Sequence, residues 1–198
     1  NGLTHYDPNT EKFTTYNVKN EALSIEKIVE AKNNTIWLIT AKSVWSFDTK
    51  TKKFSPQTHH LGTSEPRSIF VSQQNIIYVV NDDAQVVAYN PATKSKRTLS
   101  FKAKKQGNLQ INTVYQHQSS ELLFGTNQGI YGYNENTFQT SARFTELDAK
   151  FGLLSITSML NTPENQWYFG TSKNGLISIQ ANKELTQCTQ DIFQKNAL

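Results

Sequence analysis

Short apolar runs separated by polar clusters repeat along the whole chain. From Ile111 onward they read INTVYQH, ELLFGT, GIYGYN and FQTSARF, broken by Gln118-Ser119-Ser120, Asn127-Gln128 and Glu135-Asn136-Thr137. Each run is about five to seven residues, the usual length of a β-strand. The breaks carry Asn, Ser and Gly, which suit tight turns because their side chains bond the local backbone or tolerate a left-handed conformation. Helical periodicity is weak throughout. Only the last stretch, Asp191 to Leu198, suggests a short helix.

The runs return at a fixed interval. Gly2, Ser43, Gln85, Gly129 and Gly175 are spaced by 41, 42, 44 and 46 residues, and four positions after each stand Tyr6, Phe47, Tyr89, Tyr133 and Ile179. Asp7, Asp48, Asn90, Asn134 and Gln180 follow directly. Upstream, Ile28, Ile69, Val114 and Met159 form one column, and Trp37, Tyr78, Leu123 and Tyr168 a second, both spaced by 41, 45 and 45. Two columns with one period identify a repeat protein. A period in the low forties filled by four short strands predicts an all-β fold, a β-propeller of four-stranded antiparallel blades. The strands of a blade are lettered A to D in chain order. Residues 1–20 read as a half-blade carrying strands C and D, followed by blades at about 21–62, 63–105, 106–148 and 149–195. These four and a half blades read as an arc of a larger propeller.

The recurring aromatic ring fits the gap of about 10 Å between facing sheets, and the Asp or Asn after it fits the turn into strand D. Glycine at the column head allows positive φ in the B–C turn, so Ser43 and Gln85 require another geometry there. Asn33-Asn34, Gln74-Asn75, Ser119-Ser120 and Glu164-Asn165 mark the A–B turns.

Composition agrees with this picture. Of 198 residues, 36% are hydrophobic, 11% aromatic and only 18% charged, which leaves a polar, turn-rich remainder and excludes a disordered chain. Twenty Lys and Arg against sixteen Asp and Glu give a net charge of +4. That permits acidic partners without requiring them. Lys50, Lys52, Lys53, Lys94, Lys96, Arg97 and Lys183 fall mostly in C–D hairpins without interleaved aromatics, so solubility accounts for them better than a nucleic-acid surface. No apolar run reaches the ~20 residues of a membrane helix. The chain opens at Asn1 with no initiator Met or signal-peptide pattern, which reads as an excised or processed fragment. The single Cys188 excludes an internal disulfide framework and a Cys-based zinc site.

The phrase apolar-Trp-apolar-apolar-Thr, then Gly-Leu, then aromatic and Asp-Pro, is carried by Trp37 to Thr40, by Gly2-Leu3 with Tyr6-Asp7-Pro8, by Gly125 to Asn134, and by Gly170-Thr171 with Gly175-Leu176. It resembles the regulator-propeller repeat of hybrid two-component histidine kinases over essentially the whole chain. The resemblance implies a non-catalytic, periplasmic, ligand-sensing segment of an inner-membrane sensor. Its cue would be an oligosaccharide released from glycan breakdown, with acidic fragments ranked first by the basic charge balance. It also implies contact with the remaining blades of the same protein, a homodimer in the full-length form, and kinase chemistry on another part of the polypeptide.

In propellers the D–A and B–C loops share one mouth, the usual ligand side by analogy. Residues on that mouth with side chains able to bond sugar hydroxyls are Lys42, Arg67, Asp82, Asp83, Asn127, Gln128, Lys173 and Asn174, and these are the candidate ligand-binding residues. His59, His60, Glu65, the Lys102 to Asn108 segment and Asp148 to Lys150 lie on the same side. Ordinary solvated turn chemistry competes for each of them. No catalytic, cofactor or metal site stands out. His59 and His60 are adjacent and point apart in an extended chain, and Cys188 has no nearby His. Core packing is the stronger account of Trp37, Trp45 and Trp167. Asn33-Asn34-Thr35 matches a glycosylation pattern that would be idle in a bacterium.

Two rival readings remain. A propeller lyase resembling the streptogramin B lyases needs a His base and a metal-binding carboxylate at one mouth, and neither His5 nor His117 obviously meets a carboxylate in the sequence. A protein-interaction scaffold is the other.

Overall fold

The structure is a computed structural model that describes residues 2–18, 22–57, 61 and 65–189. The chain divides into two compact units, Asn1–Leu99 and Ser100–Leu198.

The first unit opens with a hairpin of β1 (Leu3–Asp7) and β2 (Lys12–Tyr16). Two four-stranded antiparallel sheets follow. One is β3 (Ile25–Ala31), β4 (Thr35–Thr40), β5 (Val44–Asp48) and β6 (Lys53–Pro56), and the other is β7 (Pro66–Val71), β8 (Ile77–Asn81), β9 (Val86–Asn90) and β10 (Ser95–Leu99). In the second unit, β11 (Ile111–Gln118), β12 (Glu121–Thr126), β13 (Gly129–Asn134) and β14 (Gln139–Arg143) form one sheet. A helix, α1 (Thr145–Phe151), leads to the other, made of β15 (Ile156–Asn161), β16 (Trp167–Thr171), β17 (Leu176–Ile179) and β18 (Leu185–Cys188). Every sheet is a meander in chain order. The protein is therefore a partial β-propeller, with four four-stranded blades and one two-stranded hairpin among the described residues.

Burial follows the sequence pattern. The B and C strands are continuous apolar runs and are buried on both faces, as in β8 and β12. The D strands β10 and β14, SKRTL and QTSAR, are mostly exposed. In the first unit Trp37, Ile39 and Val44 of one blade pack with Ile69, Ile77 and Val79 of the next. In the second, Leu123 and Ile130 pack with Ile156, Trp167, Phe169 and Ile177. Each fully buried aliphatic or aromatic side chain contributes about 1.5–3 kcal/mol, so the sheet-to-sheet gap is where stability concentrates.

The aromatic column behaves as expected at Phe47, Tyr89, Tyr133 and Ile179, all buried. Tyr6 differs. It is 48% exposed and rests on Phe13, with ring centroids 4.9 Å apart, because its hairpin carries no A or B strand among the described residues. Ile28 is likewise exposed, although its column mate Ile69 is buried.

The turns resolve the glycine question. Gly2, Gly129 and Gly175 take positive φ (121°, 88° and 69°). In the second blade Ala84, next to Gln85, takes φ 61° instead, and its N–H donates to the Asn81 carbonyl. The first blade closes its turn through Thr40, whose N–H donates to the Ser43 carbonyl and whose hydroxyl bonds the Ser43 hydroxyl at 2.7 Å. Asn33, Asn34, Asn75 and Asn165 all adopt positive φ in the A–B turns. At the C–D turns, the carboxyl or amide oxygens of Asp7, Asp48, Asn90 and Asn134 accept backbone N–H groups two residues on at 2.8–2.9 Å.

Helix α1 corrects the expectation that no helix precedes residue 191. Leu147 and Phe151 lie four residues apart on the face packed into the core. Glu146 and Asp148 in the first turn and Lys150 in the last complement the helix dipole. Gly152, at φ 73°, ends the helix by donating its N–H to the Asp148 carbonyl. The helix suggested for Asp191 to Leu198 lies outside the described residues.

Candidate functional site

The B–C turns and D–A connections meet in the same way in three blades. The N–H groups of Asp82, Asn127 and Ser172 donate to the carbonyls of Glu65, Gln110 and Ser155 at 2.9–3.0 Å. In each case the turn between strands B and C is tied to the segment entering its own strand A, so both loop sets share one face of the blade.

A second regularity marks this face. In all four sheets strand A breaks register against strand B near its start, between Ile25 and Lys27, Pro66 and Ser68, Ile111 and Thr113, and Ile156 and Ser158. The irregular positions are Glu26, Arg67, Asn112 and Thr157, all polar. A β-bulge bends the strand and re-aims the side chain it carries. Arg67, expected in a loop, therefore belongs to β7 and is turned outward at its bulge. Sequence reasoning missed Glu26, Asn112 and Thr157. Their spacing of 41, 45 and 45, a polar residue recurring inside an apolar strand, was the available signal.

In the first unit Glu26 and Arg67 line a cleft of about 330 Å³ with Ala41, Glu65, Pro66 and Asp82. Three carboxylates and one guanidinium thus face a single opening. Arg67 and Asp82 are brought together here. Lys42 is exposed next to Ala41, with its N–H donated to the Thr40 hydroxyl. Asp83 is exposed and its carboxylate accepts the N–H of Gln85 at 3.0 Å.

The second unit holds a more tightly built constellation. Gln128 is 0% exposed, and its side-chain oxygen accepts the backbone N–H groups of Lys104 (2.9 Å) and Lys105 (3.0 Å). Asn127 accepts the N–H of Gln110 and donates to the Asn108 carbonyl, both at 2.9 Å. These two candidates therefore clamp the 102–110 segment onto the B–C turn. The Lys104 ammonium lies 2.5 Å from the Asp148 carboxylate at the start of α1 and 5.1 Å from the centre of the Tyr131 ring. The Tyr131 hydroxyl donates to the Lys102 carbonyl at 2.9 Å. Burial, and secondarily the charge of Asp148, raise the pKa of that hydroxyl above its ordinary value, so it keeps its proton. Lys102, Ala103, Lys104, Tyr131, Thr140, Ser141 and Ala142 enclose a second cleft of about 510 Å³.

Lys173 and Asn174 stand apart in the last B–C turn. Lys173 is exposed, while the N–H of Asn174 donates to the Thr171 hydroxyl and its carbonyl accepts the Gln187 amide. His59 and His60 lie outside the described residues.

His117 corrects an expectation. Its Nε2 lies 4.0 Å from the Glu121 carboxylate, which Arg143 also binds. The ring rests 5.1 Å from Trp167. This cluster sits by the A–B turn, away from the B–C turns. Among the described residues no group of three or more His, Cys, Asp or Glu is placed to hold a metal ion, and no helix is long and apolar enough to cross a membrane. All three tryptophans are buried.

No protein-family model matches the chain, and no curated protein matches it. Solved structures do. The chain superposes over its full length on the extracellular domain of the hybrid two-component system BT4673 from B. thetaiotaomicron, with a TM-score of 0.76 and 18% identity. It superposes over 99% of its length on the corresponding domain of BT3049 from the same organism, with a TM-score of 0.73 and 17% identity. Virginiamycin B lyase from Staphylococcus aureus matches 98% of the chain, with a TM-score of 0.65 and 13% identity. At such identities the likeness establishes the fold. The chain spans 26% of the length of each of the two sensor domains.

Proposed function

We propose that this chain is a ligand-sensing propeller segment from the extracytoplasmic region of a hybrid two-component sensor, without catalytic activity of its own. One observation carries the reading: the whole chain superposes on the extracellular domains of two such systems. The clefts of about 330 and 510 Å³ support it, since the first is lined mostly by charged groups and the second mixes lysines and hydroxyls with an apolar wall, and their sizes fall in the range of small-molecule sites. The cue is an oligosaccharide from glycan breakdown, and the location is the periplasm. The kinase lies elsewhere in the polypeptide, and the signal is a change between two poses of a homodimer. Ligand can bias those poses only by binding one better than the other.

Calorimetry of the intact extracytoplasmic region against neutral and acidic oligosaccharides tests the reading. Heat of binding from at least one is expected, and silence across the panel would sink it.

The overlay on virginiamycin B lyase favours a second reading, a lyase. Its weakness is His117, whose carboxylate partner Glu121 is already bound by Arg143. Opening of a streptogramin B ring by the purified protein would favour the lyase.

A further inference from the structure

We propose that the cleft beside β14 binds the carboxylate of a uronic acid unit in an acidic oligosaccharide, with Lys102 as the anchoring cation and Lys104 as a second donor. The inference rests on the sensor reading and gives it a site and a ligand class.

The lining carries two lysines, a tyrosine and the hydroxyls of Thr140 and Ser141, with no carboxylate among them. The Lys102 side chain is exposed and no side-chain contact engages its ammonium among the described residues. The Lys104 ammonium has three donors and gives one to Asp148. The Thr140 hydroxyl donates to the Ser100 carbonyl, which leaves its oxygen as an acceptor for a sugar hydroxyl.

What separates this cleft from a chance pair of surface lysines is how the backbone beneath them is held. Tyr131, 4% exposed, bonds the Lys102 carbonyl, and Gln128, fully buried, bonds the Lys104 N–H. Two buried side chains thus fix the backbone of consecutive parts of one loop, so the main chain beneath the ammonium groups needs no ordering on binding, while the Lys102 side chain still does. Gly129 contributes by having no side chain: a Cβ there would lie 2.8 Å from the Lys104 ammonium. Positive charge flanked by hydroxyls matches a carboxylated sugar better than a neutral one, since bonds to an ionised acceptor are stronger.

The test is calorimetry on the intact protein with digalacturonate, cellobiose and inorganic phosphate, for the wild type, Lys102→Glu and Lys183→Glu. Lys183, exposed in the last C–D turn, makes the same charge change away from the cleft and its clamped loop. The expected result is digalacturonate binding that Lys102→Glu weakens by about tenfold or more, the scale of one charge-assisted bond, while Lys183→Glu leaves it near wild type. Equal losses in both variants would mean a general charge effect and overturn the site. Phosphate binding as tight as digalacturonate would mean a simple anion site and overturn the saccharide assignment. Binding of cellobiose alone would overturn the acidic class and leave the sensor reading standing, whereas no saccharide binding at all would remove both.

Discussion

The side-chain oxygen of Gln128 holds the backbone N–H of Lys104 at 2.9 Å, from a position with no solvent exposure. The same oxygen takes the N–H of Lys105, so one buried amide satisfies two donors of a surface segment. Removing the acceptor of a buried donor costs about 1–3 kcal/mol, and the lower end applies here because the two donors are only partly buried. Gln128→Leu is expected to lower stability by about that amount in urea unfolding. Amide exchange should accelerate at Lys104 and Lys105 ahead of the strands. Unchanged exchange at those two amides would show that the clamp does not hold the segment.

Gly129 and Gly152 separate two costs of a side chain. Both have positive φ, 88° and 73°, which strains any L-residue. A Cβ on Gly152 meets nothing within 4 Å, while one on Gly129 lies 2.8 Å from both the Asp148 carboxylate and the Lys104 ammonium. Gly152→Ala is expected to cost about 1–3 kcal/mol from strain alone, because φ 73° with ψ −175° is a region essentially reserved for glycine. Gly129→Ala should cost more, the excess being displacement of the ion pair. In Asp148→Ala that excess should shrink while the strain remains, which a double-mutant cycle by chemical denaturation reads directly. An excess at Gly129 that Asp148→Ala leaves unchanged would refute the proposed crowding.

Asp48 adds an acid-sensitive element. The backbone N–H of Thr51, then that of Lys50, both 2.8 Å away, hold its carboxyl below the ordinary value of 3.8. A depressed folded-state pKa contributes stability that is present above the unfolded value and lost as pH falls through the folded one. Asn90 and Asn134 build the same turn with an amide oxygen, so Asp48→Asn keeps the acceptor and removes the titration. The difference in melting temperature between wild type and Asp48→Asn should be constant above about pH 5 and narrow below about pH 4. A difference that stays flat to pH 3 or so would mean the turn draws nothing from the charge.

The repeat made the blades legible, because burial of two apolar strands per sheet leaves a column at every period. The turn after the Asp or Asn column was legible for the same reason. Less visible was how each C–D turn closes: Glu11, Lys52, Lys94, Phe138 and Lys183 all take positive φ, at a position where no glycine marks it. Helix α1 escaped because seven residues with two apolar contacts give too short a period to detect. The ligand face was legible as loops and illegible as contacts. Asn127 and Gln128 have the composition of exposed binding residues, yet both fold onto neighbouring backbone: Asn127 through its amide oxygen and nitrogen, Gln128 through its oxygen alone, its amide nitrogen being buried without a partner among the described residues. Lys104 and Asp148, 44 positions apart in sequence, meet only because successive repeats stack.

Trp167 tests whether aromatic residues on this protein serve the core or a sugar. It is buried, lies face to face with Phe169 at 5.7 Å, and meets Tyr115, Phe144 and His117 with ring centroids 5.1–5.4 Å away. All of these belong to the second unit's core or its edge. Truncating a buried tryptophan costs about 3–5 kcal/mol, so Trp167→Ala should unfold at much lower urea and expose apolar surface. Trp167→Phe preserves a ring and much of the volume, and should cost clearly less than the alanine variant. The discriminating measurement is saccharide binding by folded Trp167→Phe. A core role predicts wild-type affinity despite reduced stability. A stacking role predicts the reverse, a loss of affinity with stability nearly intact, because an exposed ring contributes to the ligand and little to the fold.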